Sequence, residues 1–313
     1  MKIVTLDAGT LPVELLKPDY CDTWLYRTST KENELLAALD NAEVVITNKV
    51  PLRREILEKL PSLRFICVAA TGYDCVDVRY CREKGVAVSN VPGYSTRSVS
   101  EGVIASVFAL RRCLFEYSHV SRQEWSESEN FCLHKTPIQD IQDATIGVIG
   151  RGDIGSTVGR MAKGIGMNVL YAERPGQTQV RGGYTEFNDV IRQSDILTLH
   201  CPLTPETRHI INHRVLSEMK PGAMIINTAR GPLINEDDLI VALESGIIGG
   251  AALDVLSQEP PPSDNRLLKV KHPNLIITPH IAWASESGVN NLIKGINYNL
   301  AGYFGGSIKN SVF

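Results

Sequence analysis

The sequence predicts an α/β protein built on two doubly wound parallel sheets. Three observations carry this. Short runs rich in Val and Ile alternate with longer amphipathic runs almost throughout, a pattern that calls for helices on both faces of a parallel sheet. A length of 313 residues exceeds one typical domain and suits two of roughly 100–200 residues each. A glycine-rich turn falls mid-chain, between a strand pattern and a helix pattern.

Taken in order, residues 1–7, 43–47, 64–69 and 86–89 read as strands, each ending near Gly, Pro, Asn or Asp. Residues 31–39 and 53–60 read as helices between them. From Ser98 to His119, Val99, Val103, Val107, Leu110 and Leu114 recur at helical spacing, which predicts one long helix joining two domains. Residues 121–143 are polar and poorly periodic, with Trp125, Phe131 and Pro137 among them. They read as an irregular arm, and an arm of that length is usually functional or an interface. A second series predicts strands at 145–149, 168–171, 195–200, 223–227, 250–253 and 275–278, followed by a helix over 285–303.

Composition removes several function classes. A hydrophobic fraction of 43% with 21% charged residues excludes a disordered or collagen-like chain. A formal net charge of −3 leaves no basic excess for a run of phosphates, so nucleic acid is not an expected partner. No stretch approaches the ~18 apolar residues of a membrane span. The apolar run in MKIVTLDAG is too short for a signal peptide, so a cytoplasmic location is expected. The seven cysteines are widely spaced with no C-x-x-C pair, as expected of reduced thiols. His209 and His213 stand four apart with no third ligand in view, and no metal is expected.

The glycine-rich turn reads TIGVIGRGDIG and holds G-x-G-x-x-G at Gly150, Gly152 and Gly155. The first glycine allows the tight turn, the second lets a pyrophosphate approach the backbone, and the third lets the helix pack close. The helix start offers N–H groups and a positive dipole end to the phosphates. Alone the motif is weak, but between a strand and a helix it has the context a dinucleotide site requires. Glu173, at the end of the next strand, can accept hydrogen bonds from the adenosine ribose and would repel the extra phosphate of NADP. NAD is therefore the expected cofactor. Arg174 beside that acid, and Arg151 in the glycine loop, leave NADP open as a lesser alternative.

Three later strands run into INTARG, ALDVLSQEPPP and ITPHIAW. Each segment puts one ionisable residue where a strand becomes a loop: Arg230, Glu259 and His280. Open α/β sheets bind ligands at that edge. Arg230 can grip a carboxylate and a carbonyl oxygen with paired N–H groups. His280 can give a proton to the carbonyl oxygen as hydride arrives. Glu259, bonded to the other ring nitrogen, would hold the ring.

With ATGYDCVD, NVPGYSTRSVSE, HCPLTPETRHIIN and NTARGPLINEDDL added, the chain resembles the D-isomer-specific 2-hydroxyacid dehydrogenases over nearly its whole length. The resemblance implies an Arg–Glu–His catalytic set on Arg230, Glu259 and His280. It implies that backbone N–H groups at Thr71 and Gly72 bind the substrate carboxylate together with Arg230. Beyond the three glycines and Glu173, it assigns cofactor contacts to Asp153 and Ile154 at the pyrophosphate. Cys201 and Pro202 line the cofactor, so Cys201 is not a nucleophile, and Thr207 lies on the adenosine side. Thr228, Ala229 and Asp254 lie near the nicotinamide with Arg230 and His280, and Asp254 is assigned the carboxamide. It further implies a Rossmann NAD-binding domain over 99–283, inserted in a flavodoxin-like substrate domain of 1–98 plus 284–313. A homodimer built around the long helix and the arm is also implied.

Within the family, DVLSQEPPPSDNRLL, HIAWAS, GYSTRSV and NFCLHKTPIQ are most similar to the glycerate dehydrogenases, also called hydroxypyruvate reductases. That implies NADH-linked reduction of hydroxypyruvate or glyoxylate to D-glycerate or glycolate. A broad 2-keto acid reductase of the pyruvate type stays open. So does a non-catalytic, NAD-sensing, corepressor-like role, against which the intact catalytic set argues.

Overall fold

The computed structural model describes residues 1–13, 15, 17 and 21–313. The chain divides into two units, Met1–Ser95 with Ala284–Phe313, and Thr96–Trp283. The break falls at Ser95 rather than Ser98. The reason is local: the connecting helix already begins at Thr96, and the Ser98 hydroxyl donates to the Ala282 carbonyl, 2.6 Å away within the second unit.

The first unit holds β1 (Lys2–Thr5), β2 (Thr23–Tyr26), β3 (Val44–Thr47), β4 (Phe65–Val68) and β5 (Ala87–Ser89). All pairs are parallel, in the order β2-β1-β3-β4-β5, the flavodoxin-like arrangement. Every side chain of β3 and β4 is buried, as a sheet covered on both faces demands. The helices are α1 (Leu35–Ala38), α2 (Arg54–Leu57) and α3 (Val78–Lys84). The C-terminal helix, Glu286–Phe304, returns to this sheet, and its Tyr303 stacks on Phe65 with ring centroids 4.5 Å apart. Beyond that helix, Ser311 bridges antiparallel to Ser89, and Val312 N–H donates to the Val88 carbonyl at 3.1 Å.

The second unit opens with α4 (Thr96–Arg111) and α5 (Leu114–Gln123). One continuous helix was expected here. It breaks because Cys113 adopts a left-handed φ of 49° and Gln139 N–H takes the Arg111 carbonyl at 2.9 Å. The arm holds a single 3-10 turn, Trp125–Glu127. Its return is pinned by the Tyr117 hydroxyl, which donates to Thr136 O at 2.7 Å and accepts from Lys135 N and Thr136 N.

The sheet comprises β6 (Thr145–Ile149), β7 (Asn168–Ala172), β8 (Ile196–Leu199), β9 (Ala223–Asn227), β10 (Ile248–Leu253) and β11 (Leu275–Ile277). They run parallel in the order β11-β10-β9-β8-β6-β7. The strand that would lie outside β7 in a Rossmann sheet is reduced to one bridge, Ala172 with Thr185. Helices α6 (Asp153–Gly164), α7 (Phe187–Gln193), α8 (His213–Glu218) and α9 (Glu236–Glu244) connect the strands. The last helix is α10 (Glu286–Phe304). One face of the sheet packs α7, α8 and α9 through Val190, Leu216 and Leu239, and the other packs α4 and α6 through Val103, Val107 and Val158. With both faces covered, function is left to the strand ends. Among the described residues, no helix is long and apolar enough to cross a membrane.

Candidate active site

The carboxyl edge of the second sheet gathers most of the expected site residues. At β6, Gly150 turns with φ 97°, and a Cβ there would lie 2.6 Å from the His200 carbonyl. A Cβ on Gly155 would lie 2.0 Å from the Gly150 oxygen. Both positions therefore demand glycine. Gly152 is different, because nothing lies within 4 Å of its would-be Cβ. It is the N-cap of α6 and makes no side-chain cap bond, so the first N–H groups, including those of Asp153 and Ile154, have no partner within the helix. Open space above an uncapped helix start fits a pyrophosphate.

The next strand, β7, delivers Glu173 to the same edge, with 3% exposure. Its carboxylate accepts four hydrogen bonds. Arg174 N (2.8 Å) and Arg181 Nη2 (2.7 Å) reach Oε1, and Arg181 N (3.2 Å) and Nε (2.7 Å) reach Oε2. The guanidinium of Arg181, with those backbone donors, holds the Glu173 carboxyl down to about 2. Arg151 lies over the rings of Tyr171 and Tyr184 and donates to Gly183 O at 3.1 Å. Arg181 was not visible as a site residue in the sequence, because it lies in an aperiodic segment.

After β8, desolvation pushes His200 down to about 4, and Thr198 Oγ1 lies 2.9 Å from its Nε2. The unfolded chain takes up this proton near pH 6.5, the folded chain near 4. Stability is therefore full above about 6.5 and drains as pH falls towards 4, by roughly 1–3 kcal/mol after discounting residual solvent contact. Melting temperatures across that window should show the wild type losing more than His200→Gln; equal losses would clear His200 as the cause. Cys201 follows, its thiol pushed up to about 11 by burial, so it is protonated and poorly nucleophilic at neutral pH. Thr207 Oγ1 donates to Pro202 O at 2.7 Å and accepts from Thr204 N at 2.7 Å. That hydroxyl shapes its own turn.

At the end of β9, Asn227 is fully buried and holds the next three residues in place. Its Nδ2 donates to Arg230 O at 2.8 Å and its Oδ1 accepts from Ala229 N at 3.0 Å. Asn227 carries no role in the sequence reading, although it opens the quoted NTARG run. Arg230 Nη1 donates to Ala229 O at 2.7 Å. Thr228 Oγ1 is buried and, among the described residues, has no hydrogen-bond partner. An orphaned buried hydroxyl costs about 1–3 kcal/mol, and a bound ligand group would remove that cost.

Beyond β10 and β11, Glu259 and His280 meet: Nδ1 lies 2.7 Å from Oε2. Oε1 of Glu259 accepts from Leu256 N at 2.9 Å, which fixes the carboxylate. His280 has φ 55°, a left-handed conformation that surrounding structure must enforce. Asp254 enforces it. Its Oδ1 accepts from Thr278 Oγ1 (2.6 Å) and Ile281 N (2.9 Å), its Oδ2 from Ala282 N (2.9 Å), and its carbonyl takes His280 N (2.8 Å). The sequence reading assigns Asp254 to the cofactor carboxamide; three bonds of its carboxylate go to the histidine loop.

Thr71 and Gly72 belong to the first unit, on the turn after β4. Thr71 Oγ1 donates to Val91 O at 3.1 Å, and Asn90 Nδ2 donates to Thr71 O at 2.7 Å. Among the described residues no His, Cys, Asp and Glu group could hold a metal ion.

The second sheet's edge thus combines an anion-receiving loop with an oriented imidazole–carboxylate pair, which can move a proton beside a dinucleotide. Comparison with known proteins agrees. Residues 104–282 match the family model described as D-isomer specific 2-hydroxyacid dehydrogenase, NAD binding domain. The chain is 38% identical to a glycerate dehydrogenase of Methylorubrum extorquens, over 99% of this chain and 98% of that one. It is also 38% identical to a hydroxypyruvate reductase of Blautia hydrogenotrophica, over 100% and 99%. Among solved structures, a D-lactate dehydrogenase from Aquifex aeolicus, complexed with NAD and lactic acid, superposes with a TM-score of 0.81 at 28% identity, covering 98% of this chain and 96% of that one. A glycine loop in its required strand–helix setting, the paired Glu259 and His280, and these full-length likenesses lead to one assignment: the chain belongs to the D-isomer-specific 2-hydroxyacid dehydrogenases, enzymes that bind NAD.

Proposed function

We propose that the chain reduces hydroxypyruvate and glyoxylate with NADH, giving D-glycerate and glycolate. The observation that carries this reading is the 2.7 Å pairing of His280 Nδ1 with Glu259 Oε2, on the edge that also holds the dinucleotide loop. NADH, when bound, supplies the hydride to C2. His280 gives the proton from Nε2 to the keto oxygen, since Nδ1 is engaged by Glu259. Glu259 fixes the ring's tautomer and direction. Arg230 holds the substrate carboxylate through its planar fork, and Thr71 and Gly72 are assigned to that carboxylate on resemblance alone. Thr228 Oγ1, otherwise orphaned, gains its partner in the bound cofactor. In this reading Thr96–Trp283 is the NAD-binding domain and the other unit is the substrate domain.

The substrate rests on the relatives named glycerate dehydrogenase and hydroxypyruvate reductase. Loss of NADH absorbance with hydroxypyruvate, glyoxylate and pyruvate tests it. Turnover on hydroxypyruvate is expected to exceed that on pyruvate by about tenfold or more, because a site that bonds the C3 hydroxyl disfavours an analogue lacking it. The reverse order would keep the family and move the substrate to an aliphatic keto acid.

A homodimer built on α4, α5 and the arm is part of the same reading. Phe131 is 91% exposed and Phe115 62%, with Leu114, Trp125 and Ile138 also exposed nearby in sequence. Apolar side chains in such number suit a covered face. The cytoplasm is the proposed compartment, in keeping with seven free thiols of which five are buried.

A further inference from the structure

Glu173 stands where the adenosine ribose is expected, yet its carboxylate is already saturated. A carboxylate offers about four lone-pair sites. Arg174 N, Arg181 N and two guanidinium nitrogens of Arg181 use four. A ribose diol can therefore bond to Glu173 only after Arg181 withdraws its fork. Arg181 can do so, because its side chain is 53% exposed and rests on the Tyr184 ring, 4.1 Å from the centroid. Tyr184 also lies under Arg151, which comes from the glycine loop and covers Tyr171 as well. Two guanidiniums thus share one aromatic platform beside a single acid, and Arg174 is next to that acid in the chain.

The charge balance follows. An unpaired Glu173 would repel a ribose 2′-phosphate. Paired with Arg181 the acid is neutralised, and Arg151 adds a cation close by. We propose that Arg181 is a specificity-determining residue for the cofactor: by pairing with Glu173 it cancels the repulsion that would exclude a 2′-phosphate, so the protein accepts NADPH beside NADH. With NADH, Arg181 yields Glu173 to the ribose hydroxyls. With NADPH it stays, and its remaining N–H groups face the phosphate. The proposal rests on the reading of this edge as the dinucleotide site.

The test is calorimetric binding of ADP-ribose and 2′-phospho-ADP-ribose to the full chain, with kcat/KM for NADH and NADPH measured alongside. Wild type should bind the two ligands within about tenfold of each other. Arg181→Gln removes the charge, and with it the guanidinium that lies over Tyr184, and should raise discrimination against the phosphorylated ligand by about tenfold or more. Glu173→Gln should move it the opposite way, which keeps the test decisive if the first variant folds poorly. A merely structural Arg181 would weaken both ligands alike, and that result, or a shift of Arg181→Gln towards the phosphorylated ligand, would overturn the proposal. Wild type that binds ADP-ribose and excludes its 2′-phosphate would overturn it alone. Binding of neither ligand would overturn it together with the reading beneath it.

Discussion

His280→Asn is expected to lower kcat by about 10²–10⁴ while leaving NADH affinity within a few-fold, the usual range for losing a general acid. Asparagine is chosen for a structural reason. His280 sits at φ 55°, and Asn shares with His a tolerance of that region. The backbone bonds to Asp254 O and Thr278 O can then persist, so the variant removes chemistry and keeps the loop. Glu259 would lose the imidazole from Oε2 but keep Leu256 N on Oε1. Single-turnover rates, with NADH binding followed by fluorescence, separate the two effects. Near-normal turnover would strip His280 of the proton-donor role, and lost NADH binding would make it a structural residue of the cofactor site.

Gly231→Ala is expected to cost about a hundredfold in kcat/KM through misplacement of reacting groups, with roughly 1–3 kcal/mol of stability lost to overpacking. A Cβ at this position would lie 1.9 Å from the Leu256 carbonyl carbon, 2.1 Å from its oxygen and 2.3 Å from Ser257 N. All three atoms are backbone, so no rotamer change relieves the clash. The two segments forced apart are the ones that matter: Arg230 directly precedes Gly231, and Leu256 N holds Glu259. A single added methyl thus separates the Arg230 loop from the imidazole–carboxylate pair. Activity, melting temperature and NADH binding measured together test this. Wild-type values for activity and melting temperature would mean that the 229–231 and 256–259 segments are not tightly coupled.

The parallel sheets were legible because β3 and β4 are buried on both faces and so write themselves as unbroken apolar runs. The β2 strand was not, since TWLY lies at a sheet edge with one buried side chain. The α3 helix went unread although its caps were in view: Asp77 accepts from Tyr80 N, and Gly85 ends it at φ 71°. The break at Cys113 had no local signal. It depends on Gln139, which reaches Arg111 O from the far end of the arm. That Arg230, Glu259 and His280 share one edge was legible because parallel strands deliver their carboxyl ends to one side of the sheet. What sequence could not supply were the residues that brace these loops and the acid after β7: Asn227 on the arginine loop, Asp254 on the histidine loop, and Arg181 on Glu173. Such pairings join residues through folded loops that obey no period.

The antiparallel bridge between Ser311 and Ser89 bears on how these molecules tolerate crowding. β5 is the last strand of its sheet, and an uncovered outer strand offers unpaired N–H and C=O groups to any neighbouring chain. The Val312 N–H to Val88 O bond and the Asn90 N–H to Asn310 O bond occupy part of that row, and the Ser89 hydroxyl adds a side-chain bond to Lys309 O. The residues after α10 therefore act as a guard against strand-to-strand polymerisation, and peeling them away would expose a ready template for aggregation without touching a single residue of the chemistry.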